Sequence, residues 1–382
     1  MIPLLFAIPS MGLGGSELVM LNLLKGIDNR RFQLHLAMIQ ATGDRIADIP
    51  THIKVHDLGV KRARNAIVPL IALCWKIRPK AILSTSAHLN SAVIAARPFL
   101  PNPTALLTRE GANITAPGST SRTRLMIYRH LYRRSDAVIC QSDAMREELI
   151  RAFGIPASKA VRIYNPVDIG QLSERADSEP NPYSGAGPAV VGVGRFSREK
   201  GFDLLIESMA KVHRVFPNSS LTLVGDGPDC DALLGMREKL GLNACIRFVG
   251  PKRNPYPYIK HANLLVLPSR CEALPNVVLE AIALGTPVVA TNCTGALQEV
   301  ARYTTLLHLA QTTSVEALSA GIEHVLSIAK TKVSIAPESQ FVAEFGLNSV
   351  VKQYENAILA CIDPNLHRPS AATLTRQVAD VE

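Results

Sequence analysis

Residues 189–215 read AVVGVGRFSREKGFDLLIESMAKVHRV. A valine-rich run, Ala189–Gly194, leads into a loop with three cations within six residues, and an amphipathic stretch follows over Phe202–Val215. Short apolar runs bounded by turn signals fit strands buried on both faces, and the periodic stretch fits a helix packed on them. The unit repeats downstream. Strand Ser220–Gly225, helix Asp229–Leu240, strands Ile246–Gly250 and Ala262–Pro268, helix Val277–Leu284 and strand Pro287–Thr291 follow in order. Such alternation predicts a parallel sheet covered by helices on both faces.

Upstream, a polar stretch rich in proline and glycine over 177–189 breaks the pattern and reads as a joint. Before it the same alternation occurs once already. Strands are expected at Ile2–Ile8, Phe32–Ile39, Ala81–Ser84, Thr104–Thr108 and Ala137–Cys140, with helices at Leu18–Leu24, Arg122–Tyr132 and Asp143–Phe153. The expected organisation is an α/β chain of two Rossmann-like, doubly wound domains at 1–175 and 189–345, joined by a linker at 176–188. A helix at 346–362 is expected to pack back on the first domain, and a polar tail at 363–382 to be disordered. Two such domains place a ligand cleft between them, at the carboxyl ends of the strands.

Composition narrows the class. A hydrophobic share of 47% with 19% charged residues describes a globular chain, and 382 residues suit two domains. Seven cysteines form no CxxC pair, which fits reduced thiols better than a disulfide framework or a zinc site. The dense apolar run Ala66–Trp75 is about half of the ~20 residues that a membrane span needs. The apolar start has no basic leader and reads as a buried first strand. Residues 1–170 carry 22 Lys/Arg against 11 Asp/Glu, a net of +11, whereas the rest is close to neutral. One domain therefore faces an anionic surface or substrate.

Three loops at expected strand ends carry the chemistry. In 194–201, Arg195, Arg198 and Lys200 would counter a pyrophosphate, or simply be solvated. In 269–280, Glu272 lies in the loop, Pro275 and Asn276 open a helix, and Glu280 falls one turn inside it. Free amides at a helix start suit an anion, and carboxylates suit sugar and ribose hydroxyls; a capping acid beside a surface acid is the plainer alternative. Gly225 and Gly227 in the third loop either make a turn or admit a ligand close to the backbone. Gly12, Gly14 and Gly15 follow the first strand without the GxGxxG spacing of a dinucleotide fingerprint, so they read as a phosphate-facing loop from the opposite domain.

Together GRFSREKGFD, LVGDGP, IRFVG and SRCEALPNVVLEAIALGTPVVATNCTGALQEV resemble the donor domain of glycosyltransferase family 4. Glu272 and Glu280 match its E-x7-E motif, while MGLGGSE and IYNPVD fit its acceptor domain and joint. The resemblance implies a GT-B fold, a nucleotide-sugar donor (UDP by family habit), retention of anomeric configuration, and neither metal nor cofactor. It implies that Arg195 and Lys200 neutralise the diphosphate, Glu280 binds the ribose and Glu272 the transferred sugar. Amides around Leu274, Pro275 and Asn276 would assist, Gly14 and Gly15 would approach from across the cleft, and the Phe248–Pro251 loop with Val249 would meet the base.

Many members carry histidine after the strands matching Ala81–Ser84 and Thr104–Thr108. Here His88 sits a residue or two late, as an acceptor-side catalytic residue or a solvent-facing loop histidine, and Arg109 and Glu110 occupy the second place. This pattern resembles the subgroup that builds bacterial surface polysaccharides. It implies a glycan or polyprenyl-diphosphate-linked acceptor and a cytoplasmic location, peripheral on the inner face of the membrane. Lys61, Arg62 and Arg64, with Arg122, Arg124, Arg129, Arg133 and Arg134 beside Tyr128 and Tyr132, would dock there or only solubilise the surface. Competing readings are another GT-B enzyme such as an epimerase or phosphorylase, a nicotinamide dehydrogenase that lacks its fingerprint, and nucleic-acid binding without a motif.

Overall fold

The computed structural model describes residues 1–111, 122–185, 187–328 and 338–363. The tail 364–382, expected to be disordered, lies outside them, as do the side chains of Arg122 and Arg124. The first sheet contains β1 (Ile2–Ile8), β2 (Phe32–Met38), β3 (Lys54–Asp57), β4 (Ala81–Thr85), β5 (Ala105–Arg109), β6 (Ala137–Cys140) and β7 (Ala160–Arg162). Its helices are α1 (Gly15–Gly26), α2 (Ile67–Ile77), α3 (Ala87–Ala96), α4 (Arg122–Tyr132) and α5 (Asp143–Phe153). The strands run in parallel in the order β3-β2-β1-β4-β5-β6-β7. Leucine, isoleucine, phenylalanine, alanine and methionine on both faces of β1, β2 and β4 are buried, as expected of a parallel sheet covered on both sides.

After α6 (Ile169–Asp177) the second sheet begins. It comprises β8 (Ala189–Val193), β9 (Ser220–Val224), β10 (Ile246–Phe248), β11 (Leu264–Leu267), β12 (Val288–Thr291) and β13 (Leu307–Ala310), in the order β10-β9-β8-β11-β12-β13. Around it lie α7 (Phe202–Val215), α8 (Cys230–Lys239), α9 (Tyr256–His261), α10 (Asn276–Ala283), α11 (Gly295–Val300) and α12 (Val315–Ile328), followed by α13 (Ser339–Phe345) and α14 (Leu347–Ile362). In both sheets strand order reverses beside the first strand, at β1/β4 and at β8/β11. The crevice outside the strand ends there is where open α/β sheets bind ligands.

The chain passes between the two cores twice, side by side. Tyr164, Val167, Leu172 and Ala176 pack into the second core, so α6 joins the second layer although its span was expected with the first domain. On the return, Phe341 and Phe345 belong to the second core while Val350, Tyr354 and Ile358 of α14 pack on α1 in the first. The strands touch at the crossing: Val167 N donates to Phe345 O at 2.8 Å, and Leu347 N donates to Val167 O at 2.9 Å.

Glu299 of α11 locks the domains from the side. Its carboxylate accepts from the backbone amides of Asp143 and Ala144 at 2.9 Å each, and from Tyr164 Oη at 3.1 Å. These amides open α5 in the other domain, where a negative charge is favoured. Glu299 is only 6% exposed, so its removal leaves the buried Tyr164 hydroxyl and two part-buried amides unpaired. Glu299→Ala is expected to cost about 2–3 kcal/mol, read as a fall of roughly 4–12 °C in Tm. An unchanged melting curve would contradict the locking role.

Candidate functional site

The cleft is built from loops at the carboxyl ends of β1, β8, β9 and β11. After β8, the chain makes one short turn at Arg198–Lys200 and enters α7 through Gly201, whose φ is +66°. A Cβ at Gly201 would come within 2.1 Å of Pro268 O, so only glycine lets this loop press against the end of β11. That contact aims Lys200 at the 269–275 loop. Lys200 Nζ donates to Glu272 Oε1 at 2.7 Å, and Ser269 Oγ donates to the same oxygen at 2.7 Å. The neighbouring Arg270 grips Asp203 at the start of α7 through both Nη atoms, at 2.7 and 2.6 Å. Such forked pairs fix loop geometry more firmly than single contacts.

Asn276 opens α10 behind Pro275 and reaches across the cleft, where its Nδ2 donates to Gly15 O at 3.0 Å. One turn further, Glu280 faces Tyr256 Oη at 3.4 Å. Burial pushes the Glu280 carboxyl up to about 7, against the opposing pull of Arg45, the Tyr256 hydroxyl and Arg175. A single cavity of about 490 Å³ is lined by Gly14, Gly15, Arg195, Lys200, Gly225, Pro275, Asn276 and Glu280, with Arg45, Pro251, Lys252 and Tyr256 completing its wall. Both domains contribute.

The remaining expected residues lie elsewhere. Glu272 adjoins the cavity through Lys200 rather than lining it. Leu274 is buried in the second core, and its carbonyl accepts from Asn165 Nδ2 at 3.2 Å. Val249 packs against the second core, leaving Pro251 and Lys252 at the cavity edge. Gly227 corrects the expectation of close ligand approach: a Cβ there would meet Phe196 O at 2.3 Å, so the absent side chain admits the neighbouring loop. Gly225 does the same against Gly194 O, at 1.9 Å, while also bordering the cavity. His88 is exposed and lines a second cavity of about 660 Å³ in the first domain, with its Nδ1 2.8 Å from Tyr128 Oη. It does not meet Arg195 or Lys200. Tyr128 and Tyr132, expected in a surface patch, are instead core residues.

Sequence reasoning missed a polar chain behind the site. Arg109, 1% exposed, donates from Nη2 to Asn165 Oδ1 at 2.7 Å and from Nη1 to Thr85 Oγ1 at 3.3 Å. Asn165 Nδ2 in turn lies 2.7 Å from Asn276 Oδ1 and 3.0 Å from Gln141 Oε1. Glu110 is equally buried and accepts from Tyr132 Oη at 2.5 Å. Arg109 and Glu110 therefore support the cleft from behind. The sequence signals for this chain of contacts, Arg109 and Glu110 after the Thr104–Thr108 run and Asn165 within IYNPVD, carried nothing to join them. Among the described residues, no group of three or more His, Cys, Asp or Glu is placed to hold a metal, and no helix is long and apolar enough to cross a membrane.

Comparison with known proteins bears on this geometry. The family profile described as Glycosyltransferase Family 4 matches residues 13–171, and that described as Glycosyl transferases group 1 matches residues 174–340. The lipopolysaccharide core biosynthesis glycosyltransferase LpsE of Rhizobium meliloti is 31% identical over 173 residues, 43% of this chain and 46% of that protein. The chain spans about half the length of the first curated relatives it matches. The match is longer for the N-acetylgalactosamine-N,N'-diacetylbacillosaminyl-diphospho-undecaprenol 4-alpha-N-acetylgalactosaminyltransferase of Campylobacter jejuni: 26% identity over 306 residues, 76% of this chain and 81% of that protein. Among solved structures, Anabaena HepE in complex with UDP and glucose has a TM-score of 0.79 at 21% identity, covering 94% of this chain and all of its own. That likeness establishes the fold.

The raised Glu280 carboxyl has a consequence for stability that is independent of any ligand. Between pH 4.5, the ordinary carboxylate value, and about 7, the folded chain holds a proton that the unfolded chain has lost. The associated stability is complete below pH 4.5 and is lost as pH rises through 7. Relative to wild type, Glu280→Gln is expected to flatten this decline, by at most about 3 kcal/mol. Melting curves across pH 4.5–8 test it, and identical profiles for both proteins would contradict it.

Proposed function

The chain belongs to the family 4 glycosyltransferases, with two Rossmann-like domains in the GT-B arrangement, and from that premise we propose that it transfers a hexose or N-acetylhexosamine from a nucleotide-diphosphate sugar, a UDP-sugar in the first instance. The transfer retains anomeric configuration and uses neither metal nor cofactor. One observation carries the reading: Arg195, Lys200, the Gly14–Gly15 loop and Glu280 converge from two domains on one cavity, with Glu272 against Lys200. This assembly offers positive charge and helix-start amides to a diphosphate, and a carboxylate at each end to hydroxyl groups.

In this mechanism Glu280 accepts hydrogen bonds from the ribose and Glu272 from the transferred sugar. The bond between the anomeric carbon and the diphosphate oxygen breaks while a bond to the acceptor oxygen forms on the same face. The acceptor's proton passes to the departing diphosphate. Arg195 and Lys200 stabilise the charge that grows on the leaving oxygen. Sugar binding requires Glu272 to exchange part of its contact with Lys200 for sugar hydroxyls, and the diphosphate then takes up the ammonium.

The acceptor is a lipid-linked or polysaccharide glycan of bacterial surface synthesis. The name of the Campylobacter relative, which includes a diphospho-undecaprenol carrier, supports this class. So does the second cavity, whose wall is mostly apolar (Ile39, Ile67, Leu89, Ala92) and whose rim carries Lys61, Arg62 and Arg64. Nearby, Val68 and Trp75 of α2 are 74% and 53% exposed, and Phe99, whose carbonyl accepts from Trp75 Nε1 at 2.9 Å, is 63% exposed. Exposed apolar side chains beside Lys61, Arg62 and Arg64 suit peripheral docking on an anionic leaflet, and they replace Tyr128 and Tyr132 in that role.

Lys200→Ala is expected to lower turnover by more than tenfold, as removal of one such donor typically costs about 2.7–4 kcal/mol, while the melting curve persists. The assay, run in EDTA with and without glycan acceptor, should yield an α-linked product from an α-linked donor by NMR. Near wild-type turnover of the variant, or donor consumption independent of acceptor, would count against the assignment. In vesicle flotation, wild type should bind anionic vesicles and Trp75→Ala should bind several-fold less. Equal binding of both to neutral vesicles would remove the docking face.

A further inference from the structure

Arg45 lies in the first domain, outside every motif that pointed to the cleft, yet it lines the same cavity as Gly15, Arg195, Lys200 and Glu280. It is 6% exposed, and its Nε is buried without a hydrogen-bond partner. Among the described residues no carboxylate lies within 4 Å of its guanidinium. Arginine stays charged in proteins, and a buried charge without a counter-ion is costly. The acid that feels it is Glu280, and burial keeps that carboxyl half-protonated near neutrality, so Glu280 is only a partial counter-charge.

The backbone around Arg45 is built to hold it there. Met11 N donates to Thr42 O at 2.9 Å, and Arg45 N donates to Met11 O at 3.0 Å. Gly43 has φ +124°, and a Cβ there would sit 2.2 Å from Met11 O, so the loop is pressed against the residue that leads into Gly12–Gly15. Arg45 is thereby fixed by backbone hydrogen bonds to the segment that leads into the glycine loop. On the other side of the cleft, Arg253 Nη2 meets Asp48 Oδ1 at 2.6 Å and ties the Arg45 segment to the loop that borders the cavity at Pro251 and Lys252.

We propose that Arg45 is a donor-binding residue that supplies a positive charge to the nucleoside diphosphate from the first domain. The inference rests on the proposed nucleotide-sugar reading and adds a third cation to it. Arg195 and Lys200 approach the diphosphate from the second domain. Arg45 approaches from the opposite wall, so the anion is bound fully only when the two domains face each other, which couples donor binding to closure.

The test is titration calorimetry of wild type, Arg45→Met and Arg45→Lys with UDP, GDP, ADP and uridine, at two salt concentrations. Arg45→Met keeps the apolar stem and removes the charged guanidinium. For the diphosphate that binds wild type, it should weaken affinity about 10- to 100-fold and reduce the salt dependence of binding. Uridine binding should stay unchanged, and Arg45→Lys should recover part of the loss. Wild-type affinity in a folded Arg45→Met overturns the role of Arg45, as does an equal loss for diphosphate and nucleoside. If wild type binds none of the diphosphates, the function reading fails together with it.

Discussion

The spacing between the two cleft walls is the constraint on which the site depends. Charges on facing domains act together on one anion only if the walls are held a few ångströms apart. Asn165 sets that spacing at the back of the cleft, between Arg109 on one side and Leu274 and Asn276 on the other. Glu299 sets it at the side by capping a helix of the opposite domain. These contacts are directional and buried, and a buried polar group deprived of its partner is expensive. Apolar packing alone would bring the domains together without fixing their register. The paired crossing at Val167 and residues 345–347 leaves a narrow joint about which the register could otherwise drift.

Charge in the cleft follows from the same geometry. Lys200 faces Glu272, and Arg270 faces Asp203, so these cations are compensated within the second domain. Arg195 is exposed at the mouth, and Arg45 is buried with an incomplete counter-charge. The cavity therefore has positive charge left over on both walls, and two acids, Glu272 and Glu280, lie eight residues apart on one loop and helix. A diphosphate flanked by two hydroxyl-rich groups complements that distribution.

Much of this was legible in the sequence. The periodicity of both halves located β1, β6, α5 and α7 to the residue, because these elements are continuously apolar or strongly amphipathic and are bounded by glycine, proline or caps. Elements with weak local signals were missed, among them β3, whose Lys54–Asp57 strand lies mostly exposed at the sheet edge, and the three-residue β7. At the site, Arg195, Lys200, Glu272 and Glu280 stood in short motifs within single loops, so they could be read together. Arg45 and Asn165 could not, since Arg45 meets Arg195, Lys200 and Glu280 only across the cleft and Asn165 reaches Leu274 and Asn276 more than a hundred residues away. His88 shows the converse. It was singled out by position along the chain, and tertiary structure puts it in a different cavity.

The central claim is that segments of both domains close on one nucleoside diphosphate. Hydrogen exchange with and without UDP, GDP or ADP measures this directly at the backbone. The account predicts that the binding nucleotide slows exchange in three separate segments at once, 12–17 in the first domain and 194–201 and 272–280 in the second. Slowed exchange in only one domain, or at a surface away from these loops, would contradict it.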